Sequence, residues 1–195
     1  MDTSDGMRSI EFFFDIGSPY SYLAATQMAG LKRRTQATVR WRPFLLGGVF
    51  KAIGNHPPAM LPARGQYMLR DLHRWAHTYG VKFNFPSMFP LNTLLAMRTL
   101  TAVSEEQCAH AAMALFEAYW VHERDITRPE VIADIIGDEA VLHAVEPDTK
   151  DRLRQCTDEA ISRGAFGAPT IFVGDEMFFG NDRLHFVEAT LMRQS

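Results

Sequence analysis

Apolar and polar positions divide the chain into two ends with mixed strand and helix character and a long middle with helical character alone. Near the start, Ile10 to Phe14 (Ile-Glu-Phe-Phe-Phe) is a short aromatic run bounded by Asp15 and Gly17, the pattern of a buried strand. Ser18-Pro19 then opens a helix. Serine suits the N-cap, and proline suits the first helical position because its missing N–H would have no partner there. Leu23, Ala24, Met28 and Leu31 supply the apolar positions of that helix before it runs out into Lys32-Arg33-Arg34. Val39 to Arg42 alternates apolar and basic residues, which predicts a second strand stopped by Pro43. The chain therefore opens as β-α-β.

Residues 44 to 66 are punctuated by Gly47-Gly48, Gly54, Pro57-Pro58 and Pro62, which predicts an irregular loop. Arg64 to Tyr79 reads as a helix with Gly80 as its stop. After a loop rich in Phe and Pro, helices are predicted over roughly Asn92 to Val103, Glu105 to His122, Arg128 to Ile136 and Asp148 to Arg163. Ala109, Ala112, Met113, Phe116 and Trp120 fall on one apolar stripe of the second. Ala168-Pro169-Thr170 then leads into an Ile171 to Val173 strand. Gly174-Asp175 predicts a type I′ hairpin, Glu176 to Phe179 the return strand, and Gly180-Asn181-Asp182 the cap of a last helix, Arg183 to Met192. The order predicts an α/β fold: a thioredoxin-like sheet (βαβ … ββα) interrupted by a large all-helical insertion. Residues 1–46 plus 165–195 would form the thioredoxin-like domain and 47–164 the insertion.

Composition narrows the function classes. The 195 residues are 47% hydrophobic and 22% charged, ordinary for a globular chain. A net charge of −3 with scattered Lys and Arg leaves no basic footprint for nucleic acid or a membrane surface. Cys108 and Cys156, far apart and in helical segments, are neither a disulfide framework nor a metal-finger spacing, and free thiols fit a reducing compartment. The polar first residues do not form a signal peptide, and no apolar run approaches the roughly 20 residues of a membrane helix, so a cytoplasmic protein is expected. His73 and His77 are spaced i, i+4 but have no third ligand in pattern. They read as surface residues, and no metal site is expected.

The chemistry concentrates at Ser18. On its own, Ser-Pro at a helix start is a cap. The same helix end offers free N–H groups and a positive dipole to an anion, and in thiol enzymes that location lowers a sulfur's pKa. Ser18 and Ser21 hold the spacing at which redox proteins carry Cys-x-x-Cys. Two hydroxyls cannot exchange disulfides, so a sulfur anion here would have to come from a bound thiol.

The stretch Phe14-Asp15-Ile16-Gly17-Ser18-Pro19-Tyr20-Ser21-Tyr22-Leu23-Ala24 resembles the opening of the 2-hydroxychromene-2-carboxylate isomerases and kappa-class glutathione transferases, relatives of the disulfide oxidoreductase DsbA. The likeness continues in Gly54-Asn55 with Pro57-Pro58, in Leu61 to Met68, in Gly164 to Thr170 and in Phe179 to Leu184, in the family's order along most of the chain. The resemblance implies glutathione as cofactor and Ser18 as the catalytic residue, donating a hydrogen bond that favours the glutathione thiolate. It implies a cis Pro169 beside the site, with Ala168 offering its backbone to the cysteinyl part. Asn181 and Asp182 would meet the γ-glutamyl end, Phe179 and Gly180 would join the glutathione site, and Arg64 would meet the glycyl carboxylate. Lys51, Asn55 and Phe89 would touch an aromatic carboxylate substrate. Trp75, Phe83 and Phe85 read either as added apolar wall for that substrate or as core packing, the commoner place for a tryptophan such as Trp75. Lys51 follows the kappa-type spacing, and Phe89 stands where the isomerases place a tyrosine. The implied activity is isomerisation of 2-hydroxychromene-2-carboxylate to trans-o-hydroxybenzylidenepyruvate. A kappa-like transferase or peroxidase is the alternative, a non-catalytic scaffold a third reading, and a homodimer is expected.

Overall fold

The computed structural model describes residues 8–54 and 62–193. Strand β1 (Ser9–Phe14), helix α1 (Pro19–Thr35) and β2 (Thr38–Pro43) form the predicted opening, with β1 and β2 parallel and Phe12 level with Trp41. At the other end, β3 (Thr170–Val173) and β4 (Glu176–Phe179) form a hairpin. β3 runs antiparallel to β1 with Phe12 against Ile171, so the sheet order is β2-β1-β3-β4. The first and last segments of the chain thus share one sheet. A 3₁₀ turn (Asn181–Arg183) and helix α9 (Leu184–Arg193) finish the chain.

Between β2 and β3 lie α2 (Leu46–Ile53), α3 (Pro62–Tyr79), α4 (Leu94–Ala102), α5 (Glu105–Trp120), α6 (Pro129–Ile136), α7 (Asp138–His143) and α8 (Pro147–Ser162). Helices α3 to α8 and one face of the sheet share a continuous core. Phe12 and Phe14 on β1 pack with Trp41 and with Phe116 of α5, and Leu23 and Met28 of α1 are buried against them. Phe13 and Phe172 fill the opposite sheet face beneath the guanidinium groups of Arg42 and Arg163. Cys108 and Cys156 are free, and burial pushes the Cys108 thiol up to about 12. Among the described residues no helix is long and apolar enough to cross a membrane.

Three sequence expectations are corrected. The irregular loop over 44–66 contains helix α2. Gly47 and Gly48 lower its propensity, but partners remote in sequence satisfy its start: the Asp15 carboxylate accepts from Leu46 N–H at 2.9 Å and Thr157 Oγ1 from Leu45 N–H at 3.0 Å. Gly54 closes it with φ of 66°, a left-handed cap that glycine adopts without penalty. The remainder of that predicted loop, Asn55 included, lies outside the described residues up to Leu61. Second, α7 is a six-residue helix that the sequence reading passed over, too short to show a period. Third, the hairpin turn has positive φ at Gly174 but not at Asp175. That is the type II′ pattern, not type I′.

Candidate functional site

The loop that delivers Ser18 is held at nearly every polar group. Ile16 N–H points at the Met97 sulfur at 3.4 Å, and Ile16 C=O accepts from the Trp120 indole at 2.8 Å. Asp15, buried beneath the loop, accepts from Gly17 N–H at 2.9 Å and Thr93 hydroxyl at 2.8 Å, as well as from Leu46. Burial raises this carboxyl above the usual range, and its hydrogen bonds partly oppose that shift. One side chain therefore ties β1, α2 and the residue before α4 to the turn that carries the serine.

Ser18 is the N-cap of α1, and its Oγ accepts from Ser21 N–H at 3.1 Å. The same hydroxyl donates to the carbonyl of Ala168 at 2.9 Å, joining the start of α1 to the cis Ala168–Pro169 peptide 150 residues later. No acidic residue stands in the first turn of α1 to neutralise its positive end. Ser21 is fully buried, and among the described residues its Oγ has no hydrogen-bond partner.

A cavity of about 900 Å³ opens over this helix end. Gly17 to Tyr20 form one side, and Phe166, Gly167 and Ala168 another. Phe179, Gly180, Asn181 and Asp182 come in from β4 and the 3₁₀ turn. Gly180 N–H donates to Pro169 C=O at 3.0 Å, and Tyr79 hydroxyl donates to Asn181 C=O at 2.8 Å, so both strand ends are pinned. Asp182 pairs with Arg183. Gly167 has to be small: a Cβ there would lie 2.7 Å from the Phe179 ring. The third wall is one face of α3, where Arg64, Tyr67, Met68, Asp71 and Trp75 follow helical spacing. Tyr20 donates its hydroxyl to Asp71 at 3.0 Å, and burial together with that carboxylate drives the phenol well above its ordinary pKa.

Of the residues singled out in the sequence, Ser18, Ala168, Phe179, Gly180, Asn181, Asp182, Arg64 and Phe89 line this one cavity, with Pro169 directly behind Ala168. Trp75 lines it as well, whereas Phe83 and Phe85 turn away to pack on the Trp120 ring, with centroids at 5.8 and 6.1 Å. Lys51 does not join the group. It lies on the other side of α2, in a separate cavity. Asn55 is outside the described residues. Sequence reasoning missed Asp15, Tyr20 and Asp71. The signal for Asp71 was present, since it stands seven residues after Arg64 on the same helix face.

Comparison with known proteins shows the family of the chain. A family model described as DSBA-like thioredoxin domain matches residues 9–192. A 2-hydroxychromene-2-carboxylate isomerase of Sphingobium xenophagum is 32% identical, over 95% of this chain and 98% of its own. Glutathione S-transferase kappa 1 of Homo sapiens is 33% identical, over 92% and 89%. A solved structure of a 2-hydroxychromene-2-carboxylate isomerase superposes with a TM-score of 0.85 at 31% identity, covering 95% of each chain. The chain belongs to the DsbA-like thioredoxin-fold family, in the branch of the 2-hydroxychromene-2-carboxylate isomerases and kappa-class glutathione transferases.

Proposed function

We propose that the protein is a glutathione-dependent isomerase acting on 2-hydroxychromene-2-carboxylate or a closely related aromatic carboxylate. The observation that carries the reading is the position of the Ser18 hydroxyl: at the uncompensated N-terminus of α1, buried, and on the floor of a cavity large enough for a tripeptide and a planar ring. When bound there, glutathione supplies a thiolate nucleophile able to add reversibly to an electron-poor carbon of the substrate.

The chain's residues divide the remaining work. Ser18 turns its proton from the Ala168 carbonyl toward the sulfur, while Ser21 N–H continues to hold its oxygen. A hydrogen bond to a charged group contributes about 1.5–3 kcal/mol, and the helix end up to about 2 kcal/mol more in a partly buried setting. Ala168 presents backbone to the cysteinyl unit. Asp71 and Asp182 suit the γ-glutamyl ammonium, and Arg64 at the cavity's outer edge suits the glycyl carboxylate. Trp75, Phe89 and Phe50 form the apolar surface for the substrate ring. The two free thiols support a reducing, cytoplasmic setting.

Kappa-type transferase activity is the second reading. It is favoured by phenylalanine at position 89 and by a likeness to human kappa transferase equal to that to the isomerases. Turnover of 2-hydroxychromene-2-carboxylate with glutathione well below the substrate concentration tests the choice. Complete conversion with glutathione recovered supports the isomerase. Conversion that stops when glutathione is used up supports the transferase, and no conversion at any glutathione level overturns both.

A further inference from the structure

Helix α2 divides two cavities. Leu46 and Phe50 face the Ser18 site, while Gly48, Lys51 and Ala52 face a second cavity of about 620 Å³ closed on its far side by α4 and α8. Its lining is apolar where Leu45, Leu94, Leu153 and Ile161 meet, and Leu153 is fully buried. Around that apolar base stand cations from three different helices: Lys51 of α2, Arg98 of α4, and Lys150 and Arg154 of α8.

The charges do not cancel. Asp151 is engaged by Arg154 at 3.0 Å, which leaves Asp158 alone to face Lys51, Arg98 and Lys150. Among the described residues these three cations form no ion pair, and Arg98 is partly buried. Holding a partly desolvated guanidinium and two ammonium groups against a single unpaired carboxylate is unfavourable. An anion drawn into the cavity removes that cost, and an apolar body attached to it would cover the leucine and isoleucine surface.

We propose that this second cavity is a binding site for a small amphipathic carboxylate. The apolar body rests on Leu45, Leu94 and Ile161, and the carboxylate lies between the Arg98 fork and the lysines. The site is separate from the glutathione cavity and stands whether or not glutathione is the thiol used there.

Calorimetric titration with 1-naphthoate as probe tests the assignment on wild type, the Arg98→Gln/Lys150→Gln double variant and Ser18→Ala. Each is titrated with and without saturating S-hexylglutathione. With S-hexylglutathione filling the Ser18 cavity, the expected result is one saturable naphthoate site, and Ser18→Ala leaves it in place. The double variant, checked for a wild-type circular dichroism spectrum, weakens it by roughly tenfold or more, and neutral 1-naphthamide binds wild type weaker by a similar factor. If the double variant does not hold its fold, the single Arg98→Gln gives the same reading. With S-hexylglutathione present, absence of saturable binding at millimolar probe, or an affinity indifferent to the charge change, would each overturn the site.

Discussion

Two helices begin with a serine cap, and their surroundings separate a structural cap from a chemical one. Ser104 starts α5 on the surface. It accepts from Gln107 N–H at 3.3 Å, and Gln107 Oε1 in turn accepts from Ser104 N–H, so the turn closes on itself. Glu105 and Glu106 in the first turn then take up the positive end of the helix. Ser18 makes the same local bond at the start of α1, but its proton goes to a carbonyl 150 residues away, its first turn carries no acid, and it is only 3% exposed. One helix spends its dipole on its own glutamates. The other leaves it directed at a cavity.

The largest effect should come from removing each hydroxyl in turn. Ser18→Ala is expected to lower glutathione-dependent turnover by about 10²–10³-fold, the range seen when one preorganised donor to a reacting anion is lost. Ser104→Ala should leave turnover within about twofold, since its cap touches no ligand. Comparable losses in both would reduce Ser18 to a stability residue. Next in size, giving α1 the first-turn acid that α5 has, through Tyr20→Glu, should weaken glutathione binding by roughly tenfold or more. Glu105→Gln/Glu106→Gln on α5 should change binding not at all, as read by calorimetry.

Stability should rank the two caps in the same order with a smaller gap. Loss of a cap costs about 1 kcal/mol, so Ser104→Ala should fall near that value in urea denaturation. Ser18→Ala also strands the buried Ala168 carbonyl and should cost about 1–3 kcal/mol in total. Equal values would mean the Ser18–Ala168 bond adds nothing to the fold. The smallest effect concerns Asp15 under the Ser18 loop. Burial raises its carboxyl, so the folded chain holds that proton more tightly than the unfolded chain. The linked stabilisation is complete below the ordinary carboxylate range near pH 4 and is lost as pH rises through the raised folded value. Wild type should therefore lose stability relative to Asp15→Asn as pH climbs through that interval, and parallel curves would contradict it.

The contrast between the caps also marks what the sequence could convey. Ser18-Pro19 after an aromatic strand, Ala168-Pro169 before another, and Asn181-Asp182 after Gly180 were legible because each is a local signal with its own backbone chemistry. Their convergence on one cavity was legible only through the family resemblance. What stayed hidden depends on partners distant in the chain. Helix α2 reads as a loop because its glycines are local, while the groups that fix its start, Asp15 and Thr157, lie 31 and 112 residues away. Lys51 was assigned to the substrate by its place in a motif, and the face it takes on α2 could not be known before α2 was known to be a helix. Phe83 and Phe85 were indistinguishable from Phe89 as aromatic positions in a loop; all three rings pack on Trp120, and what divides them is that Phe89 also reaches the cavity.

The central claim is that the start of α1 holds a glutathione thiolate through Ser18. It is tested most directly by ultraviolet difference titration of bound glutathione across pH in wild type and Ser18→Ala. The account predicts a bound thiol pKa at least about one unit below that of free glutathione in wild type, since one unit corresponds to about 1.4 kcal/mol, and a return toward the free value in the variant. Absence of binding at millimolar glutathione, or a bound pKa that Ser18→Ala leaves unchanged, would contradict it.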